Sequence, residues 1–358
     1  MKADWPCYIL AWLLAVATVD AADAQTEPYP NKPVQIIADS SAGSAPDVAL
    51  RFVADRLTQA WGRQALVVNR PGAGGSLAAR AAAEAAPDGY TLYQPVLSTF
   101  VSLHPAAPNV PLHVPKDFLP IGFVSENPMF IAVSPTLGVS TLLELIALAK
   151  KRPGEIPYAT TGVGRLTHLT GELLQHQAGI KLLLVPYTGG PAHAFSDVAS
   201  GRVALIIEGY SGIAGAARSG SVKLIAVAST KRLAEFPDVP TVAETIPGFR
   251  ATGWGVLVAP VGTPEAIVGK LSEDLRKVVV DPELEKDCEA RQLHQSNVAH
   301  RDHGVHSQAA TDVAAGPGRD CQKATMTAAS CDAAITAARN DIRFRFAPPC
   351  HESCGDIP

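Results

Sequence analysis

With 358 residues, 47% of them hydrophobic and 18% charged, the chain has apolar material enough for two lobes with separate cores. A net charge of −4 and an aromatic content of 6% offer neither a basic footprint for nucleic acid nor a base-stacking surface.

In chain order, the first segment does not read as part of a fold. Lys2 supplies a positive charge, "CYILAWLLAVATV" from Cys7 to Val19 is an apolar core, and Ala22-Asp23-Ala24 is a small-x-small cleavage site before Gln25. This predicts a secretory signal peptide over residues 1–24. The apolar run is too short to span a bilayer, and no later stretch reaches that length. The remaining cysteines, Cys288, Cys321, Cys331, Cys350 and Cys354, are odd in number and all late. The main fold is therefore expected to hold without disulfides, as a large core allows.

From Pro33 strands and helices alternate. "PVQIIA" predicts a strand and "SSAGSAPD" a loop. "PDVALRFVADRLTQAWG" predicts a helix with Pro46 in its first turn and Gly62 just past its end. Its buried stripe is read as Val48, Ala49, Phe52, Val53, Leu57 and Ala60. "QALVVN" and "YTLYQPV" predict strands on either side of a helix from Ser76 to Ala86. "MFIAVS" is a strand, "TLLELIALAKK" a helix, and "IPYATTGVG" runs from a strand into a glycine loop. "LTHLTGELLQHQA" and "AHAFSDVAS" predict helices around the strand "KLLLVPY". Strands "VALIIEG", "KLIAVAS" and "GWGVLVAP" follow, then the helix "GTPEAIVGKLSEDLRKVVV" with Thr263 as N-cap and Pro264 at N1. The alternation predicts an α/β chain with parallel or mixed sheets flanked by helices.

The corner "NRPGAGGSLAAR" is glycine-rich and opens a helix, which raises the question of a phosphate site. Its spacing does not support one. Gly72 and Gly74 fit the start of a dinucleotide fingerprint, but Leu77 stands at its last glycine. A Walker loop needs a lysine, and none occurs between Lys32 and Lys116. A plain strand–turn–helix corner is expected, with no cofactor.

Eight stretches in order carry a family likeness: "YPNKPVQIIA", "AGSAPDVALRFVADRL", "VVNRPGAGG", "APDGYTL", "LLELIALAKKRPGEIPYATTGVGRLTHLTGELL", "VPYTGGPA", "FPDVPTVAET" and "GTPEAIVGKL". Together they resemble the Bug-type, TctC-like periplasmic solute-binding proteins, the soluble receptors of tripartite tricarboxylate transporters. The resemblance implies a two-lobed α/β fold of the Venus-flytrap kind that closes over a ligand. It implies crossings between lobes near Asn127–Met129 and Ala251–Trp254. Lobe one is then residues 29–128 plus 252–291, and lobe two residues 129–251. It further implies a periplasmic binding protein without catalysis, a monomer whose partners are a small carboxylate or acidic amino acid and the membrane subunits of a transporter.

Three loops are candidates for the site: Ser40 to Ser44, Thr160 to Gly164, and Thr188 to Gly190. Each is read as offering small hydroxyls, backbone N–H groups and a helix N-terminus. From them come Ser41, Gly43, Ser44, Thr161, Gly162, Gly164 and Thr188 as ligand-binding candidates. Ser98 and Thr99 end a lobe-one strand and are added as donors. Asp47 either caps its loop or accepts a ligand amine; Glu208 either lines the cleft or is a solvated strand end; His168 either packs or touches the ligand. Arg165 is the only basic residue near the loops, so a carboxylate is expected to be held by neutral donors. The chain departs from the family at Ser44, where a second glycine is usual, at Ser40 or Ser41 in place of an aromatic residue, and at Thr188 in place of a basic one.

From Gln292 the composition changes. Residues 1–291 hold 31 leucines and the last 67 only Leu293. The tail reads as an altered reading frame or a disordered segment. "HRDHGVH" and "CHESC" are not read as a metal site, since Gly304 interrupts the first and Cys350 and Cys354 lack a second pair. Two other readings stand beside the receptor: a hydrolase using Ser44 or Ser76 with His168, and a non-functional product with an altered C-terminus. Neither serine lies in a G-x-S-x-G elbow.

Overall fold

The structure is a computed structural model and describes residues 28–102 and 114–280. The signal-peptide and tail readings, residues 281–291 of lobe one and all six cysteines lie outside the described residues. The strands are β1 Val34–Ala38, β2 Ala65–Asn69, β3 Thr91–Gln94, β4 Phe118–Val133, β5 Pro157–Thr160, β6 Leu183–Pro186, β7 Leu205–Gly209, β8 Lys223–Val227 and β9 Thr252–Pro260. The helices that shape the site and its supports are α1 Ala45–Trp61, α2 Ser76–Ala83, α3 Leu97–Ser102, α4 Leu142–Lys151, α5 Leu166–Ala178, α6 Ala192–Ala199, α7 Tyr210–Arg218 and α8 Glu265–Val279.

The strands form one hydrogen-bonded path, β2-β1-β3-β9-β4-β7-β5-β6, with β8 also paired to β4. Two parallel trios, β2-β1-β3 and β6-β5-β7, are joined through β9 and β4, which are antiparallel to each other. β4 belongs to both halves. From Phe118 to Pro128 it pairs with β9, and from Met129 to Val133 with β7 and β8. The two lobes of the fold share this strand.

Each half is covered on both faces. Along β1, Val34, Ile36 and Ala38 pack with Leu50, Val53 and Leu57 of α1 and Leu271 and Leu275 of α8. Ile37, on the opposite face, packs with Ala78, Ala79 and Ala82 of α2. The period-2 geometry of a strand and cover on both sides explain the near-continuous apolar run. Each buried leucine contributes about 2 kcal/mol. In the second half, Ile131, Val133 and Ile207 face Leu145 and Leu174, while Phe130 and Ile206 face Val198 and Ile213. Returning α8 to the first half is fixed by Trp61 Nε1, which donates to Asp274 Oδ2 at 2.8 Å.

Several elements differ from the sequence reading. The buried residues of α1 include Leu50 and Ala54, while Ala60 is exposed and Val48 and Phe52 only half-buried. The helix lies against both the sheet and α8, so its covered face is rotated from the predicted stripe. α2 ends at Ala83 instead of Ala86. α8 begins one residue late: Pro264 occupies the cap position, and the Thr263 hydroxyl donates to Pro260 O at 2.8 Å.

Candidate functional site

The C-terminal ends of the parallel strands of both lobes point at one cavity. Its wall includes Ser40, Ser41 and Ser44 after β1, Ser98 in α3, Thr161, Arg165 and Thr167 after β5, and Glu208 at the end of β7. Asn127 and Met129 of β4 and Gly253 and Trp254 of β9 close its base. Trp254 is buttressed by Phe100, ring centroids 5.1 Å apart. Ligands of open α/β sheets collect at such strand ends, where loops diverge and helices begin.

The strongest contact between the lobes is an ion pair. Arg165 Nη2 donates to Asp39 Oδ1 at 2.9 Å. Asp39 is fully buried at the end of β1, and its other oxygen accepts from Tyr93 at 3.0 Å and from Thr99. Burial and the Asp39 carboxylate push the Tyr93 phenol well above its usual range, so it serves only as a donor. Three further contacts cross the cleft. Ser41 Oγ donates to Thr188 O at 3.1 Å, Ala45 N to Glu208 Oε1 at 3.4 Å, and Ser211 Oγ to Ala45 O at 3.3 Å. Gly190 makes the first of these approaches possible: its φ is 104°, and a Cβ there would collide with the Ala42 carbonyl.

Of the residues singled out by sequence, Ser41, Ser44, Ser98, Thr161 and Glu208 line the cavity. The others form its support. The Gly43 N–H donates to Asp47 Oδ2 at 2.8 Å, and Asp47 also takes Arg51 Nε at 3.0 Å and Asn69 Nδ2 at 2.7 Å. Asp47 therefore caps its own loop and has its oxygens committed away from a ligand amine. Thr99 is committed to Asp39. The Gly162 N–H reaches Thr160 Oγ1 at 3.4 Å, and the Gly164 N–H donates to His168 Nδ1 at 3.2 Å. His168 Nε2 lies 3.7 Å from Glu172. Thr188 contributes its carbonyl to Ser41. The Ser44–His168 pairing of the hydrolase reading is not formed: Ser44 Oγ donates to Ser41 O at 2.7 Å, while His168 is held by Gly164 and Glu172.

Beside the neutral donors read from the sequence, the wall holds a charged one, Arg165, and several loop N–H groups are already used. The N–H groups of Gly43, Ser44, Thr161, Gly162 and Gly164 are taken by neighbouring oxygens or by His168. Four buried side-chain atoms of the wall have no hydrogen-bond partner: Ser40 Oγ, Ser98 Oγ, Arg165 Nη1 and Glu208 Oε2. Arg165 brings a charge into the site, and Asp39, which the sequence reading passed over, counters it. Buried polar atoms left unpaired cost about 1–3 kcal/mol each, so four in one cavity ask for a ligand.

Among the described residues no group of histidine, cysteine or acidic side chains is arranged to hold a metal, and no helix is long and apolar enough to cross a membrane.

A two-lobed fold with the cavity between its lobes defines the class as a solute-binding protein. The model of the tripartite tricarboxylate transporter family receptor, TctC, matches residues 49–308, and the chain belongs to that family. Among its relatives, a UPF0065 protein of Bordetella bronchiseptica is 37% identical over 276 residues, covering 77% of this chain and 81% of its own. Protein BugT of Bordetella pertussis is 34% identical over 274 residues, covering 76% and 83%. Among solved structures, the periplasmic binding protein BugD superposes with a TM-score of 0.70 at 28% identity, covering 87% of this chain and 99% of its own. R. palustris Rpa4515, solved with adipate, gives a TM-score of 0.70 at 25% identity and covers 80% and 95%. MatC from Rhodopseudomonas palustris, solved with bound malate, gives 0.68 at 26% and covers 80% and 97%. Family and fold are those of solute-binding proteins, not of enzymes.

Proposed function

We propose that the protein is a periplasmic receptor that closes its lobes over a small carboxylate and delivers it to the membrane subunits of a tripartite tricarboxylate-type transporter. In this reading residues 1–24 are the export signal, residues 29–128 plus 252–291 one lobe, and residues 129–251 the other. It acts as a monomer without a cofactor.

The observation that carries the reading is the set of buried donors without partners. Ser40 Oγ, Ser98 Oγ and Arg165 Nη1 line one cavity, the first two from one lobe and the third from the other. A carboxylate accepts several such bonds at once, and bonds to a charged acceptor are the strong ones. The adipate and malate in the related structures are ligands of that chemistry. A thermal-shift panel of C3–C8 carboxylates tests the proposal. Stabilisation by at least one of them, with saturable heat in calorimetry, is expected; no response across the panel overturns it.

Thr161 and His168 make a sharper test. Thr161 lines the cavity, and its hydroxyl shares a hydrogen bond with Thr167 at 3.0 Å, whereas His168 is occupied by the Gly164 N–H. Thr161→Ala is expected to weaken ligand binding by about 1–2 kcal/mol, and His168→Ala by less. Titration calorimetry that ranked the two variants in reverse would move the ligand to the other side of α5.

A further inference from the structure

The unpartnered atoms of the cavity are not all of one kind. Arg165 Nη1 can only donate, and the Ser40 and Ser98 hydroxyls can donate; Glu208 Oε2, when ionised, can only accept. Glu208 is 1% exposed. Its other oxygen takes the Gly209 N–H at 2.8 Å and the Ala45 N–H at 3.4 Å, which fixes the carboxylate across the cleft and leaves Oε2 to the cavity. Among the described residues no lysine lines the wall, and Arg165, the single basic residue there, already shares its charge with Asp39. Above about pH 7, where Glu208 is ionised, a plain dicarboxylate that met the donors with one end would bring its other charge into a space held by two acids and one base. Like charges in a buried site repel strongly.

We infer that the ligand carries a hydrogen-bond donor, an ammonium or hydroxyl group, beside its carboxylate, and that Glu208 Oε2 is the atom that selects it. The inference rests on the carboxylate reading of the cavity and narrows it. A structural role for Glu208 accounts for Oε1 alone. A ligand with a donor group satisfies Oε2 as well, while its carboxylate takes Arg165 Nη1 and the serine hydroxyls. A site built to bond a polar group discriminates against the analogue that lacks it, because the site's own buried atom is then stranded.

The test is calorimetry on the full chain at about pH 8, where Glu208 is ionised, with carbon-matched sets: succinate, malate and aspartate; glutarate, 2-hydroxyglutarate and glutamate; adipate and 2-aminoadipate. In at least one set the donor-bearing member is expected to bind about tenfold or more tightly than the plain diacid, and comparison of the hydroxy and amino members identifies the donor. In Glu208→Gln an amide N–H replaces the accepting oxygen, so the preference collapses or reverses. Glu208→Asp, which keeps an acceptor, retains the direction of the preference. Unfolding curves of both variants without ligand check that they fold. Equal or tighter binding of the plain diacids by the parent, or a preference unchanged in folded Glu208→Gln, overturns the inference while leaving the carboxylate reading intact. Silence with every compound overturns both.

Discussion

Arg165→Met is expected to remove most of the ligand affinity while leaving a folded protein. The guanidinium holds two roles at once: Nη2 neutralises Asp39 at 2.9 Å, and Nη1, on a residue of the cavity wall, has no partner within the protein. Methionine fills similar volume but strands a carboxylate that is 0% exposed. Breaking one side of a buried pair costs about 3–5 kcal/mol, which corresponds to a loss of two or more orders of magnitude in affinity. Tyr93 and Thr99 still donate to Asp39, so the β1 end keeps two of its bonds. The pair spans the lobes, and its energy is therefore realised on closure. Affinity should fall far more than the unfolding midpoint of the ligand-free protein. Combining Arg165→Met with Asp39→Asn should cost less than the sum of the two single changes, as for any pair in direct contact. Calorimetry showing the Arg165→Met variant within threefold of the parent would remove the ion pair from the binding mechanism.

The second large effect is on stability, and its direction depends on pH. Burial pushes the Glu208 carboxyl up to about 7; the Gly209 and Ala45 N–H groups and the Arg165 charge pull it back only in part. Below about pH 4.5 folded and unfolded chains both hold this proton. As pH rises from there towards 7, the unfolded chain releases it and the folded chain keeps it, so this residue's contribution to stability declines. Above about 7 the decline is complete, at ~3 kcal/mol. Glu208→Gln has no such proton to lose. The variant should match the parent near pH 4 and exceed it by up to ~3 kcal/mol at pH 8 in denaturant unfolding without ligand. A difference between variant and parent that is equal at the two pH values would refute the assignment. A charge that lowers stability at neutral pH fits a residue retained for binding.

Long periodic segments were legible in the sequence. The strands β1, β2, β3 and β5 to β9, the second half of β4 and the main helices fall where hydrophobic patterning puts them, because each presents a clean apolar face to a core. The first half of β4 was not legible. Pro120, Gly122 and Pro128 break its pattern, and the register with β9 shifts at Pro120/Gly122 and at Phe123/Ser125. Such residues read as loop and are tolerated here because bulges absorb them. α7 was hidden for a similar reason: Gly212 and Gly215 lower its helix propensity. In the site, the strand-end serines and Thr161 were visible because they sit at strand-to-helix corners. Asp39 and Arg165 are 126 residues apart in sequence, and neither carries a local signal of the other. Their meeting depends on the lobes being brought together, which periodicity does not describe.

The lobes are joined through β4 and β9, paired with two register shifts up to Pro128 and Thr252, with the Met129 N–H donating to Ala251 O at 3.0 Å just beyond. Two loose linkers would let open lobes wander over many relative orientations, and every closure would first have to recover that freedom. A hydrogen-bonded ribbon denies most of those orientations in advance. Fixing one free backbone residue costs about 1–2 kcal/mol of conformational entropy, so a crossing already held in ladder geometry leaves more of the ligand's contact energy to appear as affinity. Substitutions that loosen this ribbon, far from any ligand atom, should therefore weaken binding through the search for the closed form and leave the bonds inside it unchanged.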